Sequence, residues 1–157
     1  SQNSMKIKLS NVNSLTVARY AAGISIDFIG FSLRSQDEQS LTPREVSEIL
    51  TWIEGPKVVL EIDENHVYDI AEFQKMFDPY AFEIITDKEQ QKFWTRFKET
   101  ILTPNDGIFL NIEQGENLRN LENFDGVNIL APQERETGIL NFEAFDSFIE
   151  ELRTVDQ

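Results

Sequence analysis

Cysteine is absent from the 157-residue chain. Its absence excludes disulfide scaffolds, cysteine-based zinc sites and thiol nucleophiles. Histidine occurs once, at His66, on a polar stretch with no serine motif in view. Such a residue reads as a solvated helix terminus, and a Ser-His-Asp arrangement has no candidate. Positive charge is scarce: 14 lysines and arginines stand against 28 acidic residues, a net charge of −14. A surface of that sign repels a phosphate backbone and an anionic membrane, so neither nucleic acid nor membrane is an expected partner. There is no GxGxxG and no Walker lysine loop. No secretory signal is visible and no apolar run approaches the length of a membrane span, so a cytoplasmic address is expected.

What is present is globular. Hydrophobic residues make up 40% of the chain, enough for one domain over 1–157 with its own core. Residues 1–4, SQNS, are expected to be a disordered or expression-derived terminus. Short runs rich in Ile, Val, Leu and Phe predict strands at Lys6–Ser10, Phe28–Leu33, Lys57–Ile62, Phe82–Thr86, Gly107–Ile112 and Gly126–Leu130. Helical patterns fill the gaps. Thr42-Pro43-Arg44-Glu45 forms a capping box ahead of Val46, Ile49, Leu50 and Ile53. Ile70, Phe73 and Phe77 mark a second helix, and Leu118 and Leu121 a short one. Asp87 and Gln90 resemble a weaker box before a helix carrying Trp94, Phe97 and Ile101. Asn141 is expected to cap a last helix burying Phe142, Phe145, Ile149 and Leu152. Lys98–Gly107 is the one ambiguous joint, where Thr100–Leu102 could form a stubby seventh strand.

Strand–helix alternation predicts an α/β fold of about six βα units with parallel strands. Ligands of such folds gather at the carboxyl ends of the strands. A phospho-acceptor receiver domain fits Asp63 and Thr86, but Ser10-Asn11 stand where its acidic pair belongs, leaving little to hold magnesium. Side chains alternate along a strand, so Lys6, Lys8 and Ser10 share one face, and Glu61 and Asp63 another. Glu83 lies on the neighbouring strand. If those faces meet, Lys8 stands opposite Glu61 or Glu83. The pair is then either an acid–base couple or a neutralised polar layer, because a buried charge must be paired.

The stretch KIKLSNVNSLTVARYAAGISIDFIGFSLRSQDEQSLTPREVSEIL, Lys6 to Leu50, resembles the opening of phosphoribosylanthranilate isomerase, a (β/α)8 barrel of tryptophan biosynthesis. KVVLEID continues as its third unit, and YAFEIIT, Tyr80–Thr86, stands where the family has a strand ending Q-L-H-G. GENLRNLENFDGVNILAPQERETGILNFEAFDSFIEEL is similar to its last two units. The resemblance implies a shortened, TIM-barrel-like fold, since such barrels need about 200 residues or more. Six strands would enclose a narrower interior or leave an open sheet, and exposed edges would favour a homodimer that completes it.

The departures fall at the chemistry that the resemblance implies. Ser10 occupies the place of the family's catalytic cysteine, and the strand carrying its aspartate has no counterpart here. The family's arginine in the second loop falls at Gln39, and the glutamine and histidine of its fourth strand at Glu83 and Ile85. The glycines that expose backbone N–H groups to phosphate are replaced by Leu110-Asn111-Ile112 and Leu130-Ala131-Pro132-Gln133-Glu134, with Gly115 as a remnant. The first reading is therefore a relative without the ancestral isomerase activity, serving as a binding module for a small molecule or a protein. The second is an active isomerase or related sugar-phosphate enzyme with a rebuilt site. Its candidate catalytic residues are Ser10, Lys8, Glu83 and Glu61, and its substrate-binding candidates are Asp63, Arg34, Asn111, Gly115 and Asn128. No metal and no cofactor are expected in either.

Overall fold

The strand segments build one sheet that closes on itself. In the structure, a computed structural model, the described residues are 5–34, 37–88, 92–116, 118–133 and 142–155. Eight strands follow one another around a closed barrel: β1 (Lys6–Ser10), β2 (Phe28–Ser32), β3 (Lys57–Asp63), β4 (Ala81–Ile85), β5 (Trp94–Phe97), β6 (Thr100–Leu102), β7 (Ile108–Ile112) and β8 (Gly126–Leu130). The helices are α1 (Leu15–Gly23), α2 (Pro43–Leu50), α3 (Ile70–Phe77) and α4 (Glu143–Val155). The six strands read from the alternation are present, and β6 is the stubby strand at the ambiguous joint.

Closure comes from a segment that sequence periodicity assigned to a helix. Trp94–Phe97 is a strand, and only Lys98 and Glu99 separate it from β6. β6 pairs antiparallel with both β5 and β7, whereas every other neighbouring pair is parallel. Two reversals restore the strand direction, so β7 runs parallel to β5 without a helical crossover. The chain thus shortens by omitting helices and keeps the strand count. No sheet edge is left open, which removes the exposed edges on which a sheet-completing homodimer would depend.

The helices follow their caps. Ser14 caps α1 by accepting from Val17 N–H, and small Ala18 and Ala21 let the helix approach the sheet. The capping box at Thr42 and Glu45 is formed. His66 lies in a 3-10 turn, Glu64–Asp69, and not at an α-helix terminus, since α3 begins at Ile70. Leu121–Asn123 is likewise a single 3-10 turn. The expected cap at Asn141 lies outside the described residues. α4 docks beside α1: the Tyr20 ring stacks on Phe142 at 4.1 Å and its hydroxyl donates to Asp146 at 2.5 Å.

Two apolar regions result. The larger lies between the sheet and the helices and includes Leu9, Ile29, Leu60, Val127 and Phe145. The smaller plugs the amino-terminal end of the barrel with Phe28, Val59, Trp94, Ile101 and Phe109. Their rings meet edge-on or tilted at 5.0–5.7 Å, the geometry that aromatic quadrupoles favour. Gly126 leaves room for this plug, because a Cβ there would lie 3.0 Å from the Phe109 ring.

Candidate functional site

Above the aromatic plug the barrel interior turns ionic. Lys8 of β1 lies with its ammonium 2.5 Å from Glu61 of β3 and 2.9 Å from Glu83 of β4. A third oxygen, Asn128 Oδ1 of β8, accepts from it at 3.2 Å. Arg96 of β5 brings a second cation, 2.5 Å from Glu83 Oε2 and 3.3 Å from Glu61 Oε2. Two cations and two carboxylates thus neutralise one another, with Lys8 and Glu83 both 0% exposed. Asn128 passes the network on to Asn111 of β7 at 3.0 Å. β2 contributes Gly30, where a Cβ would fall 2.0 Å from Glu61 Oε2.

Alternation places these groups. β3 turns Val59, Glu61 and Asp63 inward, and β5 turns Trp94 and Arg96 inward, so the same strands supply the plug and the ion layer. Burial works against ionisation of Glu83, but the adjoining Arg96 and Lys8 charges outweigh it and hold its carboxyl below the usual glutamate range. Burial likewise opposes the charge on Arg96, and Glu83 and Glu61 outweigh it, raising its guanidinium above its already high value. Each Glu83 oxygen has a cation at ion-pair distance, Oε1 with Lys8 and Oε2 with Arg96, so the buried carboxylate is compensated on both sides.

These shifts have a pH consequence. A carboxyl held low in the folded state adds stability that is present in full above the unfolded value near 4.5 and is lost as pH falls through the folded one. Urea midpoints measured from pH 7 to pH 3 are expected to decline only below that value. Glu83→Gln, less stable throughout, should show a shallower acid decline, and an unchanged decline would contradict the assignment.

The remaining sequence candidates divide. Ser10 sits one layer nearer the mouth, its hydroxyl donating weakly to Ile129 O at 3.4 Å and accepting from Asn128 at 3.5 Å. Neither neighbour is a base that could activate it. Arg34 and Asp63 pair at 2.8 Å on the rim. Asn111 is tied to Asn128 and to Lys98 O. Gly115 is not part of this assembly. It lies in the exposed loop after β7, φ +86, between the exposed carboxylates Glu113 and Glu116. Such neighbours oppose a phosphate. Among the described residues no cluster of His, Asp and Glu could hold a metal.

Arg96 escaped the sequence reading because Trp94, Phe97 and Ile101 fit helical spacing. The contrary signal was the alternation of Trp94, Thr95, Arg96 and Phe97 with the brief Lys98-Glu99 break.

No protein-family model matches the chain, and no curated protein sequence does. Solved structures do match. Phosphoribosylanthranilate isomerase from Thermus thermophilus superimposes with a TM-score of 0.66 at 12% identity, over 95% of this chain and 100% of that one. A phosphoribosylanthranilate isomerase in complex with reduced 1-(o-carboxyphenylamino)-1-deoxyribulose 5-phosphate gives 0.70 at 11% identity, over 96% and 99%. The fold is that of phosphoribosylanthranilate isomerase. The N-(5'-phosphoribosyl)anthranilate isomerase of Pyrococcus furiosus agrees, with a TM-score of 0.64 at 10% identity. At such identities the isomerase fold is shared and the chemistry must be argued from the side chains.

Proposed function

We propose that this chain is an isomerase-fold barrel that does not catalyse the isomerisation and serves instead as a binding module. The observation that carries the reading is the enclosure of Lys8: its ammonium faces three oxygens inside a neutral, buried cluster. Rearranging an aminoaldose to an aminoketose needs one group that accepts a proton and another that donates one near neutral pH. Glu83 is held ionised below the usual range and is a poor base, and Arg96 stays protonated. Ser10 has no activating neighbour. The loop at Gly115 offers carboxylates where an anion would have to bind, and Pro132 lacks a backbone donor.

The test is a direct assay of the purified protein on phosphoribosylanthranilate, with a tryptophan auxotroph as the cellular counterpart. The expected result is no turnover above the buffer rate and no complementation. Turnover at an enzymatic rate in the unmodified protein would overturn the reading and favour a rebuilt site.

A further inference from the structure

We propose that the outer face of β5–β7, together with the carboxylates at its end, is a docking surface for a lysine- or arginine-bearing amphipathic helix of a partner protein. This inference gives the binding-module reading a partner, and rests on that reading only for its biological purpose. In barrels of this type each strand is followed by a helix that covers the outer face of the sheet. Here the joints between β5, β6 and β7 are the Lys98-Glu99 turn and residues 103–107, neither of them helical. Among the described residues no α-helix occurs between α3 and α4.

Three inward residues, Arg96, Ile101 and Phe109, lie in register across the meander, so the residues flanking them point outward. Phe97 and Leu110 flank Thr100 in one outward row, and in the next Leu102 lies between Ile108 and Thr95, which is buried, so the open part of the face lies toward β6 and β7. Ile108 is 41% exposed, and Phe97, Leu102 and Leu110 are half-buried. Three strands at about 4.8 Å spacing make a face roughly 10 Å wide, and a helix with its side chains is about 10–12 Å across. The face therefore suits one helix.

Its end sets the sign of the occupant. A cleft of about 390 Å³ opens beside Leu110 and Ile112 and is bordered by Glu99, Glu113 and Glu116. None of these three carboxylates has an ion-pair partner among the described residues. The Lys98 ammonium lies 5.0 Å over the Phe97 ring, so the apolar strip left open is formed by Leu102, Ile108 and Leu110, and a strip ending in these carboxylates matches a helix with an apolar stripe and cations along its border. A second copy of this chain would bring the same carboxylates and another charge of −14 to the contact, so the complementary occupant is a basic one.

The probe is a fluorescein-labelled Leu/Lys amphipathic helix of about 15 residues, roughly 22 Å long, with a Leu/Glu helix of equal length as its opposite. Anisotropy titrations should show binding of the first and none of the second. Glu99→Lys/Glu113→Lys and, separately, Ile108→Asp should each weaken it about tenfold or more, equal to about 1.4 kcal/mol. Glu54→Lys/Glu72→Lys, which alters total charge equally on other surfaces, should leave affinity within about twofold, under roughly 0.5 kcal/mol. Urea midpoints of each variant establish that it remains folded. Failure of the Leu/Lys helix to bind, or equal weakening by the remote pair, would overturn the proposal. So would a wild-type dimer in sedimentation that Ile108→Asp dissociates, since a second copy would then own the face. Isomerase turnover would sink the non-catalytic reading while leaving these titrations unaffected.

Discussion

Lys8→Met is expected to destabilise the protein by about 3–5 kcal/mol, the cost of removing one partner from a buried ion pair. Methionine has nearly the length of lysine, so little packing is lost. What is lost is charge: Glu61 and Glu83, both buried, are left sharing Arg96 alone. A domain's whole stability is about 5–15 kcal/mol, so the variant should sit near the edge of folding at ambient temperature. Urea unfolding should show a lower midpoint with an unchanged slope, the mark of a stability change rather than an altered unfolded state. Lys8→Met/Glu61→Gln restores neutrality by leaving Arg96 with Glu83, and the carboxamide oxygen can still accept from Asn11 N–H, which Glu61 Oε1 does at 3.0 Å. The double variant should therefore be more stable than Lys8→Met alone. A single variant within about 1 kcal/mol of wild type would refute the buried-quartet account, because that is the range of exposed pairs.

Three members of this quartet could be read in the sequence and the fourth could not. Lys8, Glu61 and Glu83 stand on predicted strands at positions that alternation turns one way, and charges inside a barrel must pair. Arg96 was hidden because Trp94, Phe97 and Ile101 repeat at helical intervals, and the turn that ends β5 carries no glycine or asparagine to announce a hairpin. Lys98 takes the left-handed conformation there, φ 55, without the residue type that favours it. One misread segment then lowered the strand count, and a narrower barrel or an open sheet with free edges followed from it. The other strands and the helices were legible because each carries its own periodicity, which side-chain caps reinforce at α1 and α2. Closure was not, since it depends on pairings between segments that leave no local mark.

Gly30 shows what only the assembled barrel reveals, and it carries the second large effect. A glycine inside a strand is usually a liability: the unfolded chain gains freedom, and replacement by alanine stabilises by about 0.4–1 kcal/mol where the backbone permits it. Gly30 lies mid-strand in β2, between Phe28 and Ser32, outside the positive-φ residues. From the backbone alone, Gly30→Ala should help. The interior reverses the sign. The added Cβ would stand 2.0 Å from Glu61 Oε2 and 3.0 Å from Lys8 Nζ, within the contact that neutralises both. Glu61 cannot retreat at no cost, since its other oxygen holds Asn11 N–H and Arg96 approaches from β5. We expect Gly30→Ala to destabilise by about 3 kcal/mol, the upper end of overpacking costs of roughly 1–3 kcal/mol. Glu61→Asp withdraws the carboxylate by one methylene and should be destabilising alone, yet Gly30→Ala/Glu61→Asp should be less damaging than the two losses added. The double-mutant cycle thus has a predicted sign, and coupling of about 0.5–3 kcal/mol is usual for residues in contact. A stabilising Gly30→Ala would mean that the carboxylate does not fill the space beside β2, and that the neutral cluster proposed in place of a catalytic centre is arranged differently.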